Sequence, residues 1–151
     1  MDDGMTEIQL REHIVATARS WISTPFHDGA ALKGVGVDCA NLLNCVLSEA
    51  GAIEPLEIEP YSPQWFLHRS EEKFMGYVLR RGREIAESEA LAGDIVLYKI
   101  GRCYAHGAFI VKWSSEIVHA YKSAGSVIRS GGRDGELYNT PAKFFSVIKS
   151  H

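Results

Sequence analysis

Cys39 is the residue of this chain whose setting offers the most chemistry. It follows Gly34-Val35-Gly36-Val37-Asp38 and precedes Ala40-Asn41-Leu42-Leu43. From Cys39 onward the apolar residues Leu42, Leu43, Val46, Leu47 and Ala50 recur at helical spacing, and Gly51 supplies a stop. The pattern predicts a glycine-loosened loop that runs into an amphipathic helix with a thiol in its first turn. A thiol placed there faces unpaired backbone N–H groups and the positive end of the helix dipole, and both favour the nucleophilic thiolate. Gly34 and Gly36 keep the approach free of side chains and leave room for a substrate backbone. The plain alternative is that Cys39 is a small apolar residue of the helix face, since free cysteines are usually buried and inert.

A cysteine nucleophile needs a base, best held by a third polar group. Among the six histidines, His106 and His119 stand out because two predicted strands present them. They are thirteen residues apart. In a hairpin with an even-length loop, that odd spacing puts both rings on one face of the sheet. A loop over Lys112 to Ser115 pairs Ala108 with His119. The two histidines then become diagonal neighbours, roughly 7–8 Å apart at the backbone and bridgeable by their side chains. An odd-length loop puts them on opposite faces. In this arrangement His106 takes the Cys39 proton, and His119 accepts a hydrogen bond from the far nitrogen of His106 and fixes its orientation. The backbone N–H of Cys39 is placed to stabilise the oxyanion of an acyl intermediate. A Cys-His-His zinc site with an open position for water is the second reading of the same residues. No local H-E-x-x-H pattern supports it. Cys45 and Cys103 read as structural, and Asp38 reads equally as a helix cap or a substrate contact.

The elements that must position these groups are legible in outline. Thr6 with Gln9 forms a capping box, and Leu10, Ile14, Ala18 and Trp21 mark one face of a first helix ending near Ile22. His13 falls off that stripe, and Ser23-Thr24-Pro25 breaks the helix. After Gly51 comes a connector with Pro55, Pro60 and Pro63, in which Tyr61, Trp65 and Phe66 either pin the chain to the core or wall a cleft. Ser70 opens a second helix carrying Phe74, Val78 and Leu79 on one side, with Gly82 past its end. Beyond the Gly93-Asp94 turn the pattern changes to strands: 95–98, 105–111, 117–121, a short 127–128, and 144–148 after a glycine-rich loop. Helices first and strands second is the α+β class, with an antiparallel sheet packed on the Cys39 helix. No repeat or linker splits residues 1–151, so one domain is expected.

Composition narrows the function classes. Lys and Arg number 16 against 19 Asp and Glu, without a basic block, which argues against nucleic acid or an anionic membrane as main partner. Three cysteines without a paired framework suit a reducing compartment. The acidic start, Met1-Asp2-Asp3-Gly4-Met5, lacks the basic and apolar regions of a secretory signal, and no run reaches the roughly 18 apolar residues of a membrane span. The expectation is a protein made and kept soluble in the cytoplasm unless another machine exports it.

The order of these features resembles the NlpC/P60 family of papain-like cysteine peptidases. It runs Phe26-x-x-Gly29, Gly36-Val37-Asp38-Cys39 opening a helix, Gly93-Asp94 before a strand, a His106-led strand, and Ile117-Val118-His119-Ala120. The segment Lys33 to Cys39 and the Tyr61-x-x-x-Trp65 spacing are similar to the subgroup encoded in phage tail and gene-transfer-agent clusters, the phage cell-wall peptidases. The likeness runs from about Ile14 to Ser146. It implies a minimal papain-like fold, with Cys39 as nucleophile, His106 as base and His119 as the orienting residue. The implied substrate is the peptidoglycan stem peptide, typically at its γ-D-glutamyl to diamino acid bond, with no metal or organic cofactor. Phage-tail proteins are implied as partners, and delivery by a virion to the cell wall would account for the missing signal. Three positions depart from the family pattern. Phe26 stands where a tyrosine is common, Ala40-Asn41 where Ser-Gly is common, and the base strand reads His106-Gly107-Ala108-Phe109. Phe26, Asp38 and Ala40 are the positions that resemblance assigns to the substrate. Two alternatives follow from the departures and the triad: a catalytically silent tail-tip or wall-binding module, and an amidase or acyltransferase on the same scaffold.

Overall fold

The computed structural model describes residues 5–53 and 73–148. The expected capping box forms, with the Thr6 side chain accepting from the Gln9 N–H and the Gln9 side chain accepting from the Thr6 N–H. It opens helix α1, Glu7–Ser20, which Trp21 closes one residue before the expected Ile22. Leu10, Ile14, Ala18 and Trp21 are buried as one stripe, and His13 is exposed. Two short strands follow, β1 (Ala31–Leu32) and β2 (Gly36–Val37), paired antiparallel. Helix α2, Cys39–Glu49, comes directly after β2. Its predicted face of Leu42, Leu43, Val46 and Leu47 is buried. Helix α3 is Lys73–Leu79. Val78 is buried there, whereas Leu79, expected on the same apolar side, is exposed. The expectations for Pro55, Pro60, Tyr61, Pro63, Trp65, Phe66 and Ser70 lie outside the described residues.

The sheet is antiparallel in the order β3-β8-β4-β5-β6-β7. Its strands are β3 (Arg83–Ile85), β4 (Ile95–Ile100), β5 (Cys103–Lys112), β6 (Glu116–Tyr121), β7 (Ser126–Ser130) and β8 (Ala142–Ser146). Alternate residues of the central strands divide between two apolar clusters. Ile95, Leu97, Phe109, Val118, Ala120 and Phe145 pack with α1 and α2. Val96, Tyr98, Ala108, Ile110, Ile117 and Phe144 pack on the other face, under Leu137. A sheet covered on both faces has little freedom to slip, because a one-residue shift would invert every side chain. Among the described residues no helix is long and apolar enough to cross a membrane.

The β5–β6 turn decides where the histidines go, and it reaches the expected register by another route. The turn is one residue shorter than Lys112–Ser115, and a bulge between Ile110 and Lys112 makes up the difference. Phe109 therefore pairs with Val118, the register that sets Ala108 against His119. An odd-length turn without the bulge would have parted the two imidazoles.

Candidate active site

The β5–β6 ladder extends from Lys112–Glu116 to Phe109–Val118. His106 and His119 lie beyond its end, so their side chains meet where no backbone ladder holds the two strands together. His106 Nε2 is 2.8 Å from His119 Nδ1, a direct hydrogen bond. Aromatic rings fix the pair in place. Tyr98, the register partner of His106, stacks on it at 5.9 Å between centroids. Tyr121 stacks on His119 at 4.9 Å and tilts against His106 at 5.5 Å. His119 is fully buried and His106 is half-buried.

Cys39 arrives from the other side. Asp38 caps α2, with one carboxylate oxygen accepting from the Asn41 N–H at 2.9 Å and the other from the Gly29 N–H at 2.7 Å. That cap holds Cys39 in the first turn, where its thiol donates to the Ala105 carbonyl at 3.5 Å. The backbone N–H groups of Gly107, Ala40 and Cys39 itself also point at the sulfur. Cys39 and His106 both line a cavity of about 330 Å³, together with Phe26, Asp38 and Tyr121.

Of the residues expected at the site, the structure thus brings Cys39, His106, His119, Asp38 and Phe26 together. Phe26 is carried there by its N–H bond to the Gly125 carbonyl, 2.8 Å, and its bridge to Val37. Ala40 goes elsewhere: its side chain is buried in the helix-facing core and does not line the cavity. Asp38 is both a cap and a wall residue. The glycines serve the chain rather than a ligand. Gly34 has φ +80°, the left-handed region that other residues disfavour, and a Cβ on Gly36 would sit 2.9 Å from the His27 ring. Cys103 is buried at the start of β5, and Cys45 is half-buried. The cavity also has a polar rim that sequence reasoning passed over: Asp28, Lys122, Ser123 and Glu136, with the Tyr121 hydroxyl donating to Glu136. Tyr121 was findable, since it stands two residues after His119 and so on the same strand face.

The electrostatics differ from the thiolate expected at a helix start. Burial, seconded by the Asp38 charge, pushes the Cys39 thiol up to about 12, against the lowering effect of the N–H groups around it. Burial and the neighbouring His119 bring His106 down to about 3, and burial brings His119 down to about 4. Burial thus opposes the charged form of the thiol and of both imidazoles. The helix dipole is outweighed because it acts at a terminus that is itself taken out of water.

This has a measurable consequence for stability. An unfolded chain protonates its histidines near pH 6.5, so between about 6.5 and 4 the unfolded state binds more protons at His119 than the folded state. The contribution is complete above pH 6.5 and is lost as pH falls through that window. At pH 4.5 the loss from His119 is on the order of 2–3 kcal/mol. Urea midpoints at pH 7 and 4.5 should drop for the wild type and drop less for His119→Gln. Equal pH sensitivity in the two proteins would contradict the assignment.

Among the described residues no group of three or more His, Cys, Asp and Glu side chains is placed to hold a metal ion. The facing nitrogens of His106 and His119 bond each other instead of converging on a shared point.

No protein-family model matches this sequence, and no curated protein is significantly similar to it. The likeness appears in three dimensions. The P60 domain of an antigen from Mycobacterium avium subspecies paratuberculosis superposes with a TM-score of 0.65 at 21% identity, over 95% of this chain and 98% of that one. The NlpC/p60 domain of the peptidoglycan hydrolase SagA gives 0.60 at 21% identity, over 90% and 97%. RipD from Mycobacterium tuberculosis, a non-catalytic NlpC/p60 domain protein adapted to peptidoglycan binding, gives 0.59 at 16% identity, over 93% and 98%. The chain has the papain-like α+β fold of NlpC/P60 domains, with the Cys39 helix laid against an antiparallel sheet.

Proposed function

We propose that this protein is a cysteine peptidase that hydrolyses a peptide bond of the peptidoglycan stem through an acyl-enzyme. The observation that carries the reading is the His106–His119 hydrogen bond in the wall of the cavity that also receives the Cys39 sulfur. Cys39 attacks the carbonyl carbon while its proton passes to His106, and the C–N bond then breaks as His106 returns that proton to the leaving amine. Water, deprotonated by His106, attacks the thioester and releases the acid and the free thiol. The backbone N–H of Cys39, in the first turn of α2, is the donor for the oxyanion. Because burial disfavours the charged forms of thiol and imidazole, proton transfer accompanies attack.

The finer parts of the proposal are the γ-D-glutamyl to diamino acid bond, and delivery to the wall by a phage tail. They follow from the resemblance of the segment around Asp38-Cys39 to the phage cell-wall peptidases. A charged rim of Asp28, Lys122 and Glu136 suits a stem peptide, which carries both amine and carboxylate groups. The second reading is a wall-binding module without turnover, favoured by the high thiol pKa and by the non-catalytic neighbour RipD. Purified muropeptides incubated with the protein and resolved by mass spectrometry decide between them. Hydrolysis expects two peptide fragments whose masses sum to substrate plus one water. Binding without any fragment would replace the peptidase reading with the second.

A further inference from the structure

His119 has a second hydrogen-bonding neighbour, on the side turned away from His106. Ser130 lies two residues beyond Ile128, the register partner of His119, and so is its diagonal neighbour on β7. Ser130 Oγ is 3.0 Å from His119 Nε2. The same hydroxyl donates to the Gly131 carbonyl at 3.1 Å. A carbonyl only accepts and a hydroxyl has one proton, so Ser130 presents a lone pair to Nε2. That nitrogen must carry the hydrogen.

The rest follows by counting protons. A neutral imidazole has one N–H, so His119 Nδ1 is bare and accepts from His106 Nε2–H across the 2.8 Å contact. His106, with its proton on Nε2, keeps its lone pair on Nδ1. The donors run in one direction, from His106 through His119 and Ser130 to the Gly131 carbonyl. In the opposite order His106 Nδ1 would hold a proton and the ring could not take another. That order requires Ser130 to turn its hydrogen toward His119 and abandon Gly131. We infer that Ser130 is a positioning residue whose hydroxyl sets the tautomer of both histidines and leaves Nδ1 of His106 free as the proton acceptor. The inference rests on the reading of His106 as the base for Cys39, but its proton order can be observed without any activity.

The experiment is long-range proton–nitrogen NMR of the ¹⁵N-labelled full chain at pH 7, for wild type, Ser130→Ala and Ser130→Thr, beside steady-state kinetics on muropeptides. In the wild type both His106 and His119 should show a protonated Nε2 and a bare Nδ1. In Ser130→Ala the signals should move toward a mixture of tautomers, with kcat down about tenfold and KM unchanged. Threonine keeps the hydroxyl and suits a strand, and should restore both readouts. A protonated Nδ1 on wild-type His106 overturns the inference, and that measurement stands even if the alanine variant fails to fold. Tautomers in Ser130→Ala identical to wild type overturn it as well. Tautomers that behave as expected in a protein that cleaves nothing support the proton order and reject the peptidase reading.

Discussion

Cys39→Ala and His106→Ala should each lower the rate of muropeptide cleavage by on the order of 10⁴-fold or more, with the fold intact. The two losses should not add, because nucleophile and base act as one unit: the double variant is expected to be about as inactive as either single one. Cys39→Ala removes only a sulfur at the cavity wall, so its thermal midpoint should stay near that of the wild type. A thiol-reactive substrate analogue should label Cys39 ahead of half-buried Cys45 and buried Cys103 in the wild type, and should lose that preference in the alanine variant. Cleavage that persists in Cys39→Ala would reject a covalent mechanism on this sulfur.

The burial of both groups sharpens this expectation. A preformed thiolate would react with small alkylating agents at neutral pH irrespective of substrate. Here burial opposes the charged forms of both partners, so the free protein is expected to alkylate slowly. Under the proposed mechanism, peptide bound over the cavity supplies an electrophile at the moment the proton moves, so charge need not develop on an isolated buried sulfur, and the inferred tautomers give His106 the lone pair that this transfer requires.

How much of this was legible in the residues depends on the range of the interaction involved. The Cys39 helix is written locally, in a cap, an apolar stripe and a stop, and it was found to within a residue. The histidine pair was also legible, because strand alternation is a counting rule, although the bulge that preserves it carries no sequence signal. Strand β3 escaped because Arg83–Ile85 is a three-residue edge segment, too short to alternate, and exists by pairing with β8. The β1–β2 pair is shorter still. Burial opposes the thiolate that the helix end favours, and it has no local sequence signal because it is set by elements distant in the chain. Ala40 sits next to Cys39 in the chain yet faces the core, since adjacent helical residues point about 100° apart.

Gly93-Asp94, a weak motif on its own, becomes the site of the second large effect: Arg11→Met should destabilise the protein by about 3–5 kcal/mol. Asp94 is 1% exposed at the start of β4. One of its oxygens accepts from Arg11 at 2.8 Å, and the other from the Leu91 N–H at 2.9 Å. Arg11 also donates to the Ala92 carbonyl at 3.0 Å and to Glu7 at 3.0 Å, so one guanidinium ties α1 to the turn that launches the central strand. Gly93 makes the approach possible: it has φ +90°, and a Cβ there would lie 3.3 Å from the Arg11 backbone. Methionine preserves the packing of the stem but leaves a carboxylate buried without its cation, and the cost comes from that orphaned charge rather than from the lost attraction. Arg11→Met combined with Asp94→Asn removes both charges and keeps an acceptor for Leu91, so it should recover a large part of the loss. Urea denaturation of the four proteins of this cycle measures the coupling directly. Additive losses would show that the pair does not hold α1 to the sheet, whereas recovery in the double variant would locate the anchor between helices and sheet in a salt bridge remote from the cavity.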